Sequence, residues 1–140
     1  MITCTRRIQF CAGHRVYDHE SKCRNLHGHN YVVFLEAQAP LDQIGRVIDF
    51  SVLKERLGGW IDRYWDHGFL IWENDGPALA ALAMMPQQKL FLMPTNPTAE
   101  NIAEFLLNFV GPGQLKGTGV RLTKVTVWET ENCYAEALHD

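Results

Sequence analysis

The 140-residue sequence has no C-x-x-C pair, no apolar run approaching the roughly 18–20 residues of a membrane span, and no internal repeat or low-complexity stretch. Its four cysteines, Cys4, Cys11, Cys23 and Cys133, are scattered, so no disulfide framework is expected. There is no excess of basic charge. A net charge of −3 and a pI near 6.0 argue against a nucleic-acid surface or a polybasic membrane patch. Arg6 and Arg7 are followed by no apolar h-region, so no secretory signal is expected and the cytoplasm is the expected location. With no linker, residues 1–140 read as one domain, long enough to bury a core unaided.

What is present is concentrated in one stretch, Cys23-Arg24-Asn25-Leu26-His27-Gly28-His29-Asn30-Tyr31. Strand residues two apart share a face, so an extended segment aims His27 and His29 at one point. Two imidazoles at that spacing are a frequent beginning of a metal site. The plain alternative is a His-Gly-His turn entering a strand. His14 and the thiol of Cys23 favour the metal site. Cys23 is flanked by Lys22 and Arg24, which favours a thiolate, whereas Cys4 and Cys11 sit in an apolar strand and read as small buried hydrophobes.

The sequence pattern predicts a first strand over 2–11, ending near His14, then a polar loop over 17–25. A long strand over 30–39 is closed by Pro40. These two strands are expected to form an antiparallel hairpin that brings His14 beside His27 and His29. Asp49 or Ser51 caps a helix with Leu53, Leu57, Trp60, Ile61 and Tyr64 at helical spacing, interrupted by Gly58-Gly59. Residues 77–85 read as a short helix and Leu90–Met93 as a brief strand. Asn96-Pro97 opens a second long helix, with Asn96 as N-cap, which buries Ile102, Leu106, Phe109 and Val110 and stops at Gly111-Pro112-Gly113. Residues 120–130 alternate strictly, with Thr123, Val125, Val127 and Glu129 on one face. The expected architecture is α+β, two long helices packed on one face of an antiparallel sheet.

Three histidines on adjacent strand ends give a neutral nitrogen set that leaves zinc an open fourth position, the arrangement of a catalytic site. Cys23 either closes that position, making the site structural, or stays outside the metal shell as a reactive thiolate near a substrate. Asp66-His67 gains meaning only if it meets Cys23, where a carboxylate-oriented imidazole can shuttle a proton. Glu100, in the first turn of a helix, is explained by the helix dipole alone. Glu129 is not so easily explained, because it shares a face with Val125 and Val127 and a buried carboxylate needs a donor. A guanidine-like edge, such as that of a pterin or guanine, would supply two parallel N–H bonds.

Taken together, Phe10-Cys-Ala-Gly-His14-Arg15, Cys23-x-x-x-His27-Gly-His29-Asn-Tyr31, Gly45-x-Val-Ile-Asp49-Phe50, Asp66-His67, Pro97-Thr98-Ala-Glu100-Asn101 and Val127-Trp-Glu129-Thr130 run in the order of a known family. The sequence resembles the 6-pyruvoyl-tetrahydropterin synthase and 6-carboxy-tetrahydropterin synthase family, the latter belonging to queuosine precursor synthesis. The resemblance implies that His14, His27 and His29 ligate zinc and that Cys23 is the catalytic base. It also implies that Asp66 and His67 complete a proton relay, and that Glu129, with Thr98 and Glu100 nearby, holds the pterin. The implied substrate is 7,8-dihydroneopterin triphosphate. The implied fold is the tunnelling fold, in which sheets of several subunits of a homo-oligomer, a hexamer or tetramer, close into a barrel with sites between subunits. The three-residue gap between Cys23 and His27 resembles the carboxy branch. No Gly-rich loop marks a phosphate site, and Arg15, Lys22 and Arg24 are candidates only. Residues 73–93 read as an insertion, and the tail after Asn132 lacks the usual Tyr-x-Gly ending. The competing class is a non-catalytic zinc-binding module.

Overall fold

The computed structural model describes residues 1–139. Six strands, β1 (Thr3–His14), β2 (His27–Gln38), β3 (Gly68–Trp72), β4 (Leu90–Met93), β5 (Arg121–Thr130) and β6 (Cys133–Leu138), form one sheet in the order β4-β3-β1-β2-β5-β6. β1 pairs antiparallel with β2, β2 with β5, and β5 with β6. At the other edge β1 pairs parallel with β3, and β3 parallel with β4. The sheet is therefore mixed, which corrects the antiparallel expectation. β3 leaves no strand signal in the sequence, because Gly68-Phe-Leu-Ile-Trp72 is a short, wholly apolar run without alternation.

Helix α1 runs over 50–64. It begins at Asp49, whose side chain accepts the N–H of Ser51, and it passes through a π-helical stretch at Lys54–Gly58. Gly58 lies where a Cβ would come 3.0 Å from Ile8 Cδ1, so the glycine lets the helix sit close on β1. Helix α2 is Gly76–Ala83, and α3 spans 99–114. The cap of α3 is Thr98, which accepts the N–H of Asn101, and not Asn96 as the sequence suggested. Asn96 instead clamps Tyr17, accepting its N–H and donating to its carbonyl. α3 also continues past Gly111. The Gly111 N–H reaches back five residues to the Leu106 carbonyl in a π turn, and Pro112 follows without ending the helix.

One face of the sheet carries the main core. Ile8, Phe10, Val33, Leu35, Val125 and Val127 meet Leu53, Leu57, Ile61, Ile102, Leu106 and Val110 of the two long helices. Phe109, expected in that core, is 67% exposed. α2 packs on the reverse face of β3, where Ala78 and Leu82 bury Ile71 with Phe69 and Leu90 against them. Helices thus cover both faces at this edge. Strict alternation in β5 fails at Thr123, where a bulge between the Glu36 and Ala37 pairings turns Leu122 into the core. No helix among the described residues is long and apolar enough to cross a membrane.

Asp75, 1% exposed, ties α2 to the end of β1. It caps α2 through the Ala78 N–H and takes two hydrogen bonds from Arg15, at 2.6 and 2.5 Å. The Arg15 guanidinium is the leading cause that holds the Asp75 carboxyl below its ordinary range. Arg15, a phosphate candidate by sequence, is therefore engaged in a bidentate ion pair. Arg15→Ala is expected to destabilise the fold by about 3–5 kcal/mol, since it strands a buried carboxylate. Urea unfolding measures this. The folded-state pKa is depressed, so the stability the pair contributes is present above the unfolded carboxyl value. It is lost as pH falls through the lower folded value, and the variant should lack that acid-side loss.

Candidate active site

The hairpin register builds the histidine cluster. His14 stands directly opposite His27, and Ala12 opposite His29, so the three rings gather at one end of the β1–β2 pair. Ring centroids lie 4.7 Å apart for His14–His27, 4.8 Å for His27–His29 and 5.1 Å for His14–His29. One nitrogen from each ring falls within 4.8 Å of the others. Gly28, between the two ligand-type histidines, lies where a Cβ would come 3.1 Å from the Ala12 carbonyl oxygen.

Two rings are oriented from behind. His14 Nδ1 lies 2.7 Å from the Pro97 carbonyl and His27 Nδ1 lies 2.7 Å from the Asn25 carbonyl. A carbonyl only accepts, so each Nδ1 carries its proton and each Nε2 lone pair is left free, the usual preparation of a metal ligand. His14 Nε2 and His29 Nε2 are buried with no hydrogen-bond partner. Burial, outweighing the Pro97 bond, lowers the His14 pKa to about 4 and so keeps the ring neutral. Burial is also the leading cause that lowers His29. Orphaned, neutral, convergent nitrogens are what a divalent cation with a preference for imidazole requires.

Glu129 borders this cluster, its carboxylate oxygens 3.5 Å from His29 Nε2 and 3.9 Å from His14 Nε2. It sits where the β5–β6 register shifts between Trp128 and Thr130. The bulge re-aims the carboxylate into a cleft of about 190 Å³ lined by Ala99, Glu100, Cys133, Tyr134 and Ala135. Glu100 thus shares a cleft with Glu129, while Thr98 caps α3 next to it. Beneath lies Tyr31, whose buried hydroxyl has no partner and is pushed above the ordinary phenol range by burial and by Glu129.

Asp66 and His67 form a second group. Asp66 Oδ2 accepts from His67 Nδ1 at 2.8 Å, and Asp66 Oδ1 accepts the Cys11 N–H at 3.0 Å. Burial raises the Asp66 pKa, but these two bonds carry it below the ordinary carboxyl range. His67 holds a left-handed backbone (φ 63°), fixed by its N–H to the Cys11 carbonyl at 2.7 Å. The thiol that meets His67 within the chain is Cys11 and not Cys23. Sequence reading missed Cys11 because its partner strand β3 was itself unseen. Cys23 lies in a 3-10 turn, Lys22–Arg24, and among the described residues it belongs to neither group. Lys22 and Arg24 beside it are exposed, and all four cysteines are free thiols.

A model of the family described as 6-pyruvoyl tetrahydropterin synthase matches residues 3–140. A protein of Rickettsia conorii named 6-carboxy-5,6,7,8-tetrahydropterin synthase is 40% identical over 137 residues, 97% of this chain and 99% of its own length. That alignment leaves no room for an insertion the size of residues 73–93, so the segment is not peculiar to this chain. A Haemophilus influenzae protein of the same name is 30% identical over 142 residues, covering 97% and 98%. Among solved structures, an uncharacterised Wolinella succinogenes protein superposes with a TM-score of 0.85 at 23% identity, covering 99% of this chain and 98% of its own. The 6-pyruvoyl tetrahydropterin synthase of Caenorhabditis elegans superposes with 0.69 at 24%, covering 99% and 96%. These two establish the fold. The sequence matches, running end to end through both histidine motifs, establish that this chain belongs to the 6-pyruvoyl tetrahydropterin synthase family.

Proposed function

We propose that the chain is a zinc-dependent 6-carboxy-5,6,7,8-tetrahydropterin synthase that converts 7,8-dihydroneopterin triphosphate and one water into 6-carboxytetrahydropterin, acetaldehyde and triphosphate, as a step toward queuosine. The observation that carries this reading is the set of three imidazoles with two buried, partnerless Nε2 atoms beside Glu129. His14, His27 and His29 would hold zinc, which when bound supplies Lewis acidity toward side-chain hydroxyls. Glu129 binds the 2-amino and N3–H edge of the pterin through parallel charge-assisted bonds and so orients the ring. Cys23, as thiolate, takes a proton from the substrate. His67 returns one, held in the correct tautomer by Asp66.

Cys23 is not with Asp66 and His67 in one chain, so the relay is completed between copies: Cys23 of one subunit meets Asp66 and His67 of another. The chain works as a homo-oligomer, a hexamer or tetramer whose sheets close into a barrel. Cys23→Ala and His67→Ala are each expected to lose about 10²–10⁴-fold in kcat. Subunit exchange between the two inactive variants should restore part of the activity, because some interfaces then carry both intact groups. No recovery after verified exchange, or a fully active monomer by light scattering, defeats this arrangement. Zinc lost from Cys23→Ala would instead favour the closed structural site with Cys23 as fourth ligand.

A further inference from the structure

Cys11 meets Asp66-His67 through three contacts. Besides the two backbone bonds already described, its Sγ lies 3.6 Å from His67 Nε2. Asp66 holds the proton on Nδ1, so the Nε2 lone pair faces the sulfur. A carboxylate behind an imidazole is the arrangement that fixes a histidine as a metal ligand. Zinc–sulfur and zinc–nitrogen bonds of about 2.3 and 2.0–2.1 Å, at a tetrahedral angle, set sulfur and nitrogen about 3.6 Å apart. The observed spacing already equals that bite.

Both residues border a cleft of about 390 Å³ that Gly13, His27, Gly28, His29, Asn30 and Phe69 also line, and within one chain the His67 side chain is 78% exposed. Within one chain, solvent can therefore complete the coordination. Cys11 alternates with Phe10 and Ala12 along β1, so it lies on the opposite face of the sheet from His14. The two donor sets share no ligand, and His27 and His29 also line the cleft beside Cys11.

We propose that Cys11 Sγ and His67 Nε2 form a second site, for a soft divalent cation such as zinc or cadmium. With two ligands from one chain, against three at the histidine cluster, it is weaker and more exchangeable than the three-histidine site, and a Cys23→Ser background keeps the neighbouring subunit's thiol out of that comparison. Occupancy takes the Nε2 lone pair of His67 and so blocks proton transfer there, which makes the site inhibitory. The inhibition rests on the relay reading of His67. The binding does not.

Cobalt titration of the stripped Cys23→Ser/Cys133→Ser protein tests the binding. The first equivalent should give no thiolate-to-cobalt charge-transfer band, and a weaker second equivalent should give one. Cys11→Ser, and independently His67→Gln, should remove the second equivalent and its band, while His14→Ala should remove the first and keep the second. The loss of affinity at the second site should exceed the about 10–100-fold that loss of an outer partner costs. A band that survives Cys11→Ser, or no second equivalent in the parent, overturns the site and leaves a plain thiol–imidazole hydrogen bond. Turnover by the zinc-loaded wild type should fall as zinc rises above one equivalent, and Cys11→Ser should resist that fall. Filling of the second site without inhibition overturns the inhibitory role, and with it the relay assignment of His67, while the binding stands.

Discussion

A His29→Ala chain is expected to purify without stoichiometric zinc and to show no measurable turnover, with its urea midpoint close to that of the metal-free parent. His29 Nε2 is buried, has no hydrogen-bond partner, and faces a cluster that offers two other imidazoles. Losing a direct ligand costs more than the about 10–100-fold that loss of an outer partner costs, and two imidazoles alone bind zinc poorly. His27→Ala should behave likewise. Metal analysis by plasma emission reads the first half of the expectation and product assay the second. Fold stability separates ligand loss from unfolding, since His29 lies at the loop end of the hairpin, away from the packed Leu35 and Val33. Full zinc occupancy in His29→Ala would show that the three-histidine site is not the metal site.

Much of this site was legible because a strand writes its geometry into alternate residues. His27 and His29 are two apart, and the hairpin between two β-rich runs could bring His14 only to the same end. The caps were partly legible: Asp49 was one of two candidates for α1, whereas Asn96 looked like a cap and turned out to bridge to Tyr17, seventy-nine residues away in sequence. Side chains that pair over such distances leave no local pattern. The same holds for Asp75, whose burial depends on Arg15 sixty residues earlier. Of the two parallel strands, β3 is hidden for a related reason. It is short and covered by α2, so its sequence lacks alternation, whereas β4 coincides with the strand expected at Leu90–Met93. β6 is hidden by composition, because Ala-Glu-Ala favours helix and only pairing with β5 makes it a strand. The bulges in β5 were invisible too, although one of them re-aims Glu129. The meeting of Cys11 with His67 follows from the parallel β1–β3 register, and so went unseen with it.

Glu129→Gln is expected to weaken pterin binding by about 2–5 kcal/mol, the usual cost of breaking a buried charge-assisted hydrogen-bonded pair. The carboxylate is 21% exposed and lies in the cleft with Glu100 and Tyr134, so a ring entering there exchanges water for two N–H bonds to Glu129. Glutamine keeps the shape but replaces one acceptor oxygen with a donor that faces the pterin donors, which turns one of the two bonds into a repulsion. Because the ring is held in every step, KM and kcat/KM should both suffer, and calorimetry with a non-hydrolysable pterin should give a dissociation constant higher by about 30-fold or more. Zinc content distinguishes this from the other use of the same carboxylate. Its oxygens lie only 3.5 and 3.9 Å from His29 and His14, close enough to move onto a metal and close the site. Retained zinc with lost pterin affinity supports the recognition role, whereas lost zinc makes Glu129 a fourth ligand and the site structural. With zinc-loaded parent enzyme, mass spectrometry of products from dihydroneopterin triphosphate should show 6-carboxytetrahydropterin and acetaldehyde. A 6-pyruvoyl product would keep the zinc and the Glu129 clamp but move the chain to the other branch of its family, and the spacing of Cys23 and His27 would then carry no information about the product.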